Sequence, residues 1–551
     1  MTLHRVLLCF IFAASAYLSL ANLNSPSLWD DEAHVAFFAR SFLQSGHWSA
    51  WDGRNLLADR NGHGLDSHFN HIMPQLDYGI VAASFRIFGV STWSARLPFA
   101  IAGVASLFAF VWLLRLEFPG AAALELYALA CLAFSTNFLM HIRTGRYYAV
   151  STLLMLVACA CYRRFLQTKG LRFTLIIGAA ASLLVLNSAL NCGAFLLMLG
   201  ARYLLFDRSK IGRQDWGKIA WSAAVFSSIA LPYGWFCVRP GSAAANAEVA
   251  SSGLAAPWVT SALTRLWWNL RELNAINALP WAFLLCLIYF ILRSKKEHSK
   301  VKSTALEWAV MTLTYIIFLS MFSPQPVKAT TIADIRYLSP IFPLLAGICG
   351  VVLWYIHQAS LVTAIIAGAI FINCNLFAFS AFSPQWRWLL PSFVKEINEP
   401  YPTGTSEVVA FMKENAHQDD SLWVCPDYMN KPLNFYLGDL LRLGGSLNHH
   451  TQIPFANIHS LHAPVLMEEF FPDWIVSFGA QAELNSAIQF FSRQQTEAPA
   501  LPYHYELVKV LDVYWGQTQR PELLWHNFGP LKTFNKQTES VFIFKRSQSP
   551  H

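Results

Sequence analysis

Charge is scarce in this chain. Asp, Glu, Lys and Arg make up only 13% of its 551 residues, against roughly a quarter in an ordinary soluble protein. That shortage excludes a soluble globular protein, and equally a disordered one, which needs high charge and low hydrophobicity. The basic residues behind the formal charge of +7 are scattered over loops, so no nucleic-acid partner is implied. Cysteine is scarce where a disulfide would matter. Cys9, Cys131, Cys159, Cys161, Cys192, Cys237, Cys286, Cys349 and Cys374 fall in or beside apolar segments, and Cys425 stands alone in the polar C-terminal part. No disulfide framework is possible there. The Cys159-Ala160-Cys161 pair sits in a lipid-type stretch and reads as packing. Internal repeats, a Gly-rich phosphate loop and a zinc-spaced cysteine set are all missing, which removes the corresponding nucleotide and metal chemistries.

What is present is apolar length. The chain is 55% hydrophobic, with 20 Trp and 42 Phe, and stretches near 20 residues recur along its first 383 positions, enough to cross a ~30 Å hydrocarbon core. This pattern predicts a polytopic α-helical membrane protein. The first stretch could pass for a signal peptide, with Ala14-Ser15-Ala16 as a cleavage site, but it runs on to Leu23 and is read as a retained helix.

Three basic loops should share one face of the membrane: Arg163, Arg164, Lys169 and Arg172; Arg208, Lys210, Arg213 and Lys218; and Arg293, Lys295, Lys296, Lys300 and Lys302. Spans near 5–24, 97–114, 120–140, 147–166, 173–190, 192–206, 217–237, 276–293, 304–323, 337–356 and 360–383 place all three inside. They amount to about eleven helices, with a cytoplasmic N-terminus and an external C-terminus. Residues 77–92 are short, carry Arg86 and would invert every later loop as a span, so they read as a helix in the interface. From residue 384 the chain turns polar. Strand-like runs at Leu422–Cys425, Trp474–Phe478, Leu507–Val513 and Val541–Phe544, with a helical pattern over Ser406–Asn415, predict a soluble α/β domain. The division is therefore 1–383, with a first external loop over 25–96, and 384–551.

Chemistry-bearing residues gather at the predicted outer boundary. Asp30, Asp31 and Glu32 follow the first span. Capping by Ser27 or Asp30 explains one carboxylate of the three, since anions complement a helix N-terminus. His141-Ile142-Arg143-Thr144-Gly145-Arg146-Tyr147-Tyr148 joins two spans, and Arg143 and Arg146 there read either as snorkelling side chains or as receptors for an anionic group such as phosphate. A third set, Lys328, Asp334, Arg336, Tyr337, Ser339 and Pro340, enters the tenth span. His63, His68 and His71 have loose metal-ligand spacing, although solvated loop histidines are commoner.

These clusters resemble, in order and topology, those of the GT-C superfamily of polyprenyl-phosphate-sugar-dependent glycosyltransferases, which includes protein O-mannosyltransferases and lipid A aminoarabinose transferases. The likeness covers most of residues 1–383. Its motifs are Trp29-Asp30-Asp31-Glu32-Ala33, with Ala39-Arg40 and Gly46-His47-Trp48; Phe88-Gly89-Val90-Ser91 leading to Ala95-Arg96-Leu97-Pro98; Arg143-x-x-Arg146-x-Tyr148; and Arg336-Tyr337-x-x-Pro340-x-x-Pro343. Two departures stand out. Arg146 and Tyr148 occupy a loop where many relatives have an acidic residue. Ile72-Met73-Pro74-Gln75 replaces the Glu-Lys that in aminoarabinose transferases supplies a metal ligand and a phosphate-binding lysine.

The resemblance implies an inverting glycosyltransferase on the periplasmic face of a bacterial inner membrane. The donor would be a polyprenyl-phosphate sugar, and the acceptor a glycolipid such as lipopolysaccharide, a polysaccharide or a protein. It implies Asp31 as base, with Glu32 and Asp30 shaping its field, and Arg143, Arg146, Tyr148, Arg336, Tyr337 and Lys328 around the donor phosphate. A divalent cation would draw on His68, His71 and Glu32. The competing class, a transporter or flippase of lipid-linked or small solutes, would carry polar groups at mid-membrane, where the predicted spans hold chiefly Glu125. A non-catalytic assembly protein leaves the acidic cluster without a purpose.

Overall fold

The computed structural model describes residues 3–57, 65–71, 75–238, 258–275, 299–322, 335–373, 388–399, 402–425, 427–444, 471–478, 503–514 and 538–548, with single positions at 288, 457, 460 and 461. Helices run in the order α1 (Leu3–Leu20), α2 (Asp30–Ser45), α3 (Leu76–Phe88), α4 (Thr92–Glu117), α5 (Ala122–Ala133), α6 (Thr136–Ile142), α7 (Tyr148–Thr168), α8 (Leu171–Asn187), α9 (Ala189–Arg202) and α10 (Trp216–Val238). They continue with α11 (Trp258–Ala275), α12 (Ser299–Phe322), α13 (Phe342–Ala359), α14 (Leu361–Asn373), α15 (Leu389–Asn398), α16 (Gly404–Asn415) and α17 (Asn430–Leu437). Among the described residues six helices are long and apolar enough to cross a membrane, or seven if one bent pair is a single span. Helices suit that setting because each satisfies its own backbone groups where no water is available. The protein is an integral membrane protein.

The expected span at 120–140 is two helices, α5 and α6, bent by 60°. Ser135 makes the break: its hydroxyl accepts the Phe138 N–H at 3.4 Å and restarts the helix as an N-cap. The expected span at 276–293 lies outside the described residues except for position 288. α1 packs on α4 and α5, with Leu8, Ile11 and Leu18 buried. Close approach of helices relies on small residues. A Cβ at Gly350 of α13 would come within 2.5 Å of the Ala128 Cβ of α5, so a glycine is required at that crossing. α3, at 13 residues, reaches only about 20 Å at 1.5 Å per residue, too short to cross.

Beyond residue 388 the chain forms a five-stranded sheet of order β2-β1-β3-β5-β4. Its strands are β1 (Ser421–Cys425), β2 (Arg442–Leu443), β3 (Trp474–Phe478), β4 (Tyr503–Tyr514) and β5 (Thr538–Gln548). β1 pairs in parallel with β2 and β3; β5 runs antiparallel to β3 and β4. The four strand-like runs and the helical pattern read from sequence all appear. Val408 and Met412 of α16 and Leu433 and Leu437 of α17 pack on Leu422, Val424, Val476 and Ile543. α17 also lies against α2, which ties this sheet region to the loop that follows α1.

Candidate active site

α2 begins at Asp30, straight after α1 and its following turn. Trp29, in extended conformation, holds the N-cap position without a side-chain cap, so neither Ser27 nor Asp30 caps the helix. Asp30 Oδ1 instead accepts the Asp31 N–H at 2.7 Å. Successive residues on a helix point about 100° apart, and the three carboxylates accordingly have three different fates.

Glu32 points into the protein. It is 1% exposed; Arg96 Nε donates to its Oε1 at 2.8 Å and Nη2 to its Oε2 at 2.6 Å. The Gly145 N–H donates to Oε1 at 2.7 Å, and a Cβ on Gly145 would crowd the Ala95 carbonyl at 3.3 Å. Arg96 also donates to the carbonyls of Leu23, Pro26 and Ser27. Glu32 is thus the strut joining α2, α4 and the turn before α7, not a catalytic group or metal ligand as the sequence suggested.

Asp31 points away from that buried pair, and 26% of its side chain stays exposed. Arg336 Nη1 donates to its Oδ2 at 2.7 Å, and Arg146 Nη2 approaches the same oxygen at 3.8 Å. Burial opposes ionisation of Asp31, but Arg146, Arg336, Lys431 and His34 together hold its carboxyl well below the usual range. Asp30 behaves differently: burial and then the Asp31 charge push it up to about 6, against the pull of Lys431 and Arg336. The Arg336 guanidinium also lies over the Trp29 and Tyr337 rings, 5.6 Å from each centroid, a cation–π setting that orients it without neutralising it.

Arg146 reaches a fourth carboxylate that sequence reasoning passed over. Asp77, in the first turn of α3, is 0% exposed, and Arg146 Nη1 lies 3.7 Å from its Oδ2. Burial pushes Asp77 up to about 6, against Arg146. An acidic residue opening an apolar helix ordinarily complements the helix dipole, so its position alone did not mark it. Because its folded pKa exceeds the unfolded 3.8, Asp77 contributes stability at pH below 4 that is lost as pH rises through 6, at most about 3 kcal/mol. Asp77→Asn should therefore raise the melting temperature in detergent at pH 8 by a few degrees and leave it unchanged near pH 4. An equal shift at both pH values would show that Asp77 ionises normally.

The other sequence-predicted residues divide. Arg143 is not at a phosphate site: it donates to the carbonyls of Leu18 at 2.8 Å, Ser19 at 3.3 Å, Ala21 at 2.7 Å and Asn22 at 3.4 Å. It closes the C-terminus of α1, whose last carbonyls have no helical partner. Tyr148 is 0% exposed and packed edge-on to Tyr147 and His141, while the Arg146 guanidinium lies over the Tyr147 ring at 5.4 Å. Tyr337 stacks on Tyr147. Lys328 and residues 72–74 lie outside the described residues.

His68 is exposed and bonds Ser67, whereas His71 meets the Tyr78 hydroxyl at 3.4 Å, which also meets His34 at 3.0 Å. Among the described residues no three His, Cys, Asp or Glu side chains converge on a point that could hold a metal. With both Glu32 oxygens engaged, the His68, His71 and Glu32 set does not fit a cation. The arrangement that remains is one partly exposed, ionised carboxylate faced by Arg146 and Arg336 from two distant parts of the chain.

Residues 74–236 match the family model described as dolichyl-phosphate-mannose-protein mannosyltransferase, a segment that contains Asp77, Arg96 and Arg146. No curated protein sequence matches the chain. Its fold is similar to that of ArnT from Cupriavidus metallidurans bound to undecaprenyl phosphate, at 14% identity and TM-score 0.58, covering 98% of this chain and 97% of that one. It is also similar to the Archaeoglobus fulgidus oligosaccharyltransferase in complex with Zn and sulfate, at 13% identity and TM-score 0.50, covering 85% and 68%. The chain therefore carries a segment that matches this mannosyltransferase family model and shares the fold of these two membrane enzymes.

Proposed function

We propose that the protein transfers a sugar, with inversion, from a polyprenyl-phosphate donor to a hydroxyl of an envelope acceptor: a glycolipid such as lipopolysaccharide, a polysaccharide or a protein. The observation that carries this reading is the meeting of Asp31, Arg146 and Arg336, from three separate parts of the chain, at one partly exposed point. A base and phosphate-binding cations are what such a transfer needs. The acceptor oxygen attacks the anomeric carbon, the bond from that carbon to the phosphate oxygen breaks, and its electron pair leaves on the phosphate. That leaving group needs no proton, unlike the oxygen of a glycoside. The acceptor's proton passes to Asp31, and Arg336 and Arg146 stabilise the charge growing on phosphate.

Arg336 links the two halves of the reaction. Paired with Arg336, Asp31 is a weak base. A phosphate that draws Arg336 toward itself loosens that pair and returns basicity to Asp31 when the donor is in place. Arg336→Met should therefore raise the donor KM by roughly tenfold or more, the worth of a charge-assisted hydrogen bond, and lower kcat as well. An unchanged donor KM would remove Arg336 from the site.

We place the site at the external, periplasmic face of a bacterial inner membrane, with eleven spans in residues 1–383 and an α/β domain over 384–551. The course of α7 supports this orientation. It starts beside Arg146 and, after 21 residues or about 30 Å, ends at Lys169 in a basic loop suited to the cytoplasmic side. The decisive experiment supplies membranes containing the protein with a panel of polyprenyl-phosphate sugars and follows labelled sugar into acceptor. Transfer from at least one donor is expected. Movement of a labelled solute or lipid without transfer from any donor would establish the transporter or flippase instead.

A further inference from the structure

The end of α7 farthest from Arg146 borders a cavity of about 210 Å³, enclosed by α7, α8, α9, α10 and the loop before α10. Phe165, Ile177, Leu199 and Ile219 form much of its wall. Two hydroxyls there are turned to other partners: Tyr162 donates to Asp207 at 3.2 Å and Thr174 to the Leu171 carbonyl at 2.8 Å. A space lined in this way stays dry and accepts apolar guests. Gly200 of α9 also lines it, and a Cβ there would meet nothing within 4 Å. Native interiors leave few voids of this kind. Tyr203 and Trp216, both in the wall, meet edge-on at 6.0 Å, and Trp216 is half exposed. Such a pair of amphipathic rings is favoured where lipid meets water.

The loops beside this cavity are strongly basic. Residues 169–172 and 207–218 hold six cations and two carboxylates. Both carboxylates are engaged: Asp207 by Arg202 at 3.2 Å and Lys210 at 2.6 Å, and Asp215 by Lys169 at 3.0 Å and Lys218 at 3.7 Å. Arg208 and Arg213 are exposed and form no ion pair among the described residues. Between them in sequence, Ile211 belongs to the cavity wall. Topology alone accounts for positive charge on such a face, but not for an apolar cavity next to it. We propose that the two together form a site for one anionic phospholipid of the leaflet opposite the Asp31 site. A segment of one acyl chain fills the cavity, and Arg208 and Arg213 hold the phosphate. Guanidinium forks suit phosphate oxygens, and basic segments at a membrane surface draw in anionic lipids. The lipid is bound and not consumed, so the site stands apart from the transfer reaction and does not depend on it.

The test is native mass spectrometry of the full-length protein in detergent, titrated with phosphatidylglycerol, phosphatidylcholine or inorganic phosphate. Wild type should retain one phosphatidylglycerol roughly tenfold more tightly than phosphatidylcholine, as expected of two basic residues at a charged surface. Arg208→Gln/Arg213→Gln should bring phosphatidylglycerol down to the phosphatidylcholine level. Gly200→Leu fills the cavity while leaving both arginines, and should weaken phosphatidylglycerol by about tenfold, as loss of about two buried methylenes would. Equal retention of the two lipids by wild type overturns the proposal. Wild-type binding of phosphatidylglycerol by Gly200→Leu also overturns it, because loop charge alone would then attract the lipid. Displacement of the lipid by inorganic phosphate would reduce the site to an anion site without a chain and overturn it likewise. Should Gly200→Leu fail to fold, Ile219→Phe fills the same cavity from α10, and its binding is read in the same way.

Discussion

Asp31→Asn is expected to lower kcat by about 10³-fold, within the 10²–10⁴ that a positioned base contributes, without weakening donor binding. Both halves follow from the geometry. Asparagine keeps the size of the side chain and an oxygen for Arg336 but takes no proton from the acceptor hydroxyl. It also no longer competes as an anion for Arg336, which sits 2.7 Å from the native carboxylate. Undecaprenyl phosphate should therefore bind the variant at least as tightly as wild type. Few residues give loss of turnover with equal or tighter binding: an Arg336 variant is expected to lose binding. The measurements are single-turnover transfer of labelled sugar and a binding titration on the same preparation. Turnover near wild type would remove Asp31 as the base, and a large loss of binding would mean that Asp31 serves to hold the arginines in place.

Much of the fold was legible because apolar length and period-two alternation are local properties. The strand at Trp474–Phe478 and the helix ending at Asn415 emerge where hydropathy and propensity place them. The break between α5 and α6 was not legible, since a serine that caps a new helix looks in sequence like any serine in an apolar run. The site was legible in its residue types but only partly in its roles. Asp31 and Arg336, 305 positions apart, were linked through the order of family motifs, and they do form an ion pair. Arg143 resembles Arg146 in sequence, yet it is spent on four backbone carbonyls, and backbone acceptors leave no sequence signature. Asp77 was hidden by its bland position at a helix start. It becomes visible only when α3 is packed against α2.

Glu32 gives the second large effect, and it separates structure from catalysis within one acidic cluster. Arg96 and Glu32 are 5% and 1% exposed, and removing one partner of such a pair leaves the other charge buried, at a cost of about 3–5 kcal/mol. Arg96→Met should be the more damaging change. It strands the Glu32 carboxylate and also frees the carbonyls of Leu23, Pro26 and Ser27 that hold the turn between α1 and α2. The expected result is a marked fall in melting temperature or loss of the protein from the membrane fraction. Glu32→Gln keeps an acceptor for the Gly145 N–H and strands only Arg96, so it should fold less stably than wild type yet retain a kcat per folded molecule within a few-fold of it. The double variant Glu32→Met/Arg96→Met should recover part of the stability lost by Arg96→Met, because two uncharged side chains leave no isolated ion. If Glu32 were the base, as its place beside Asp31 invites, Glu32→Gln would instead abolish turnover and leave the melting temperature alone. Paired measurement of turnover and thermal stability across these three variants and Asp31→Asn therefore assigns chemistry and architecture to adjacent carboxylates independently.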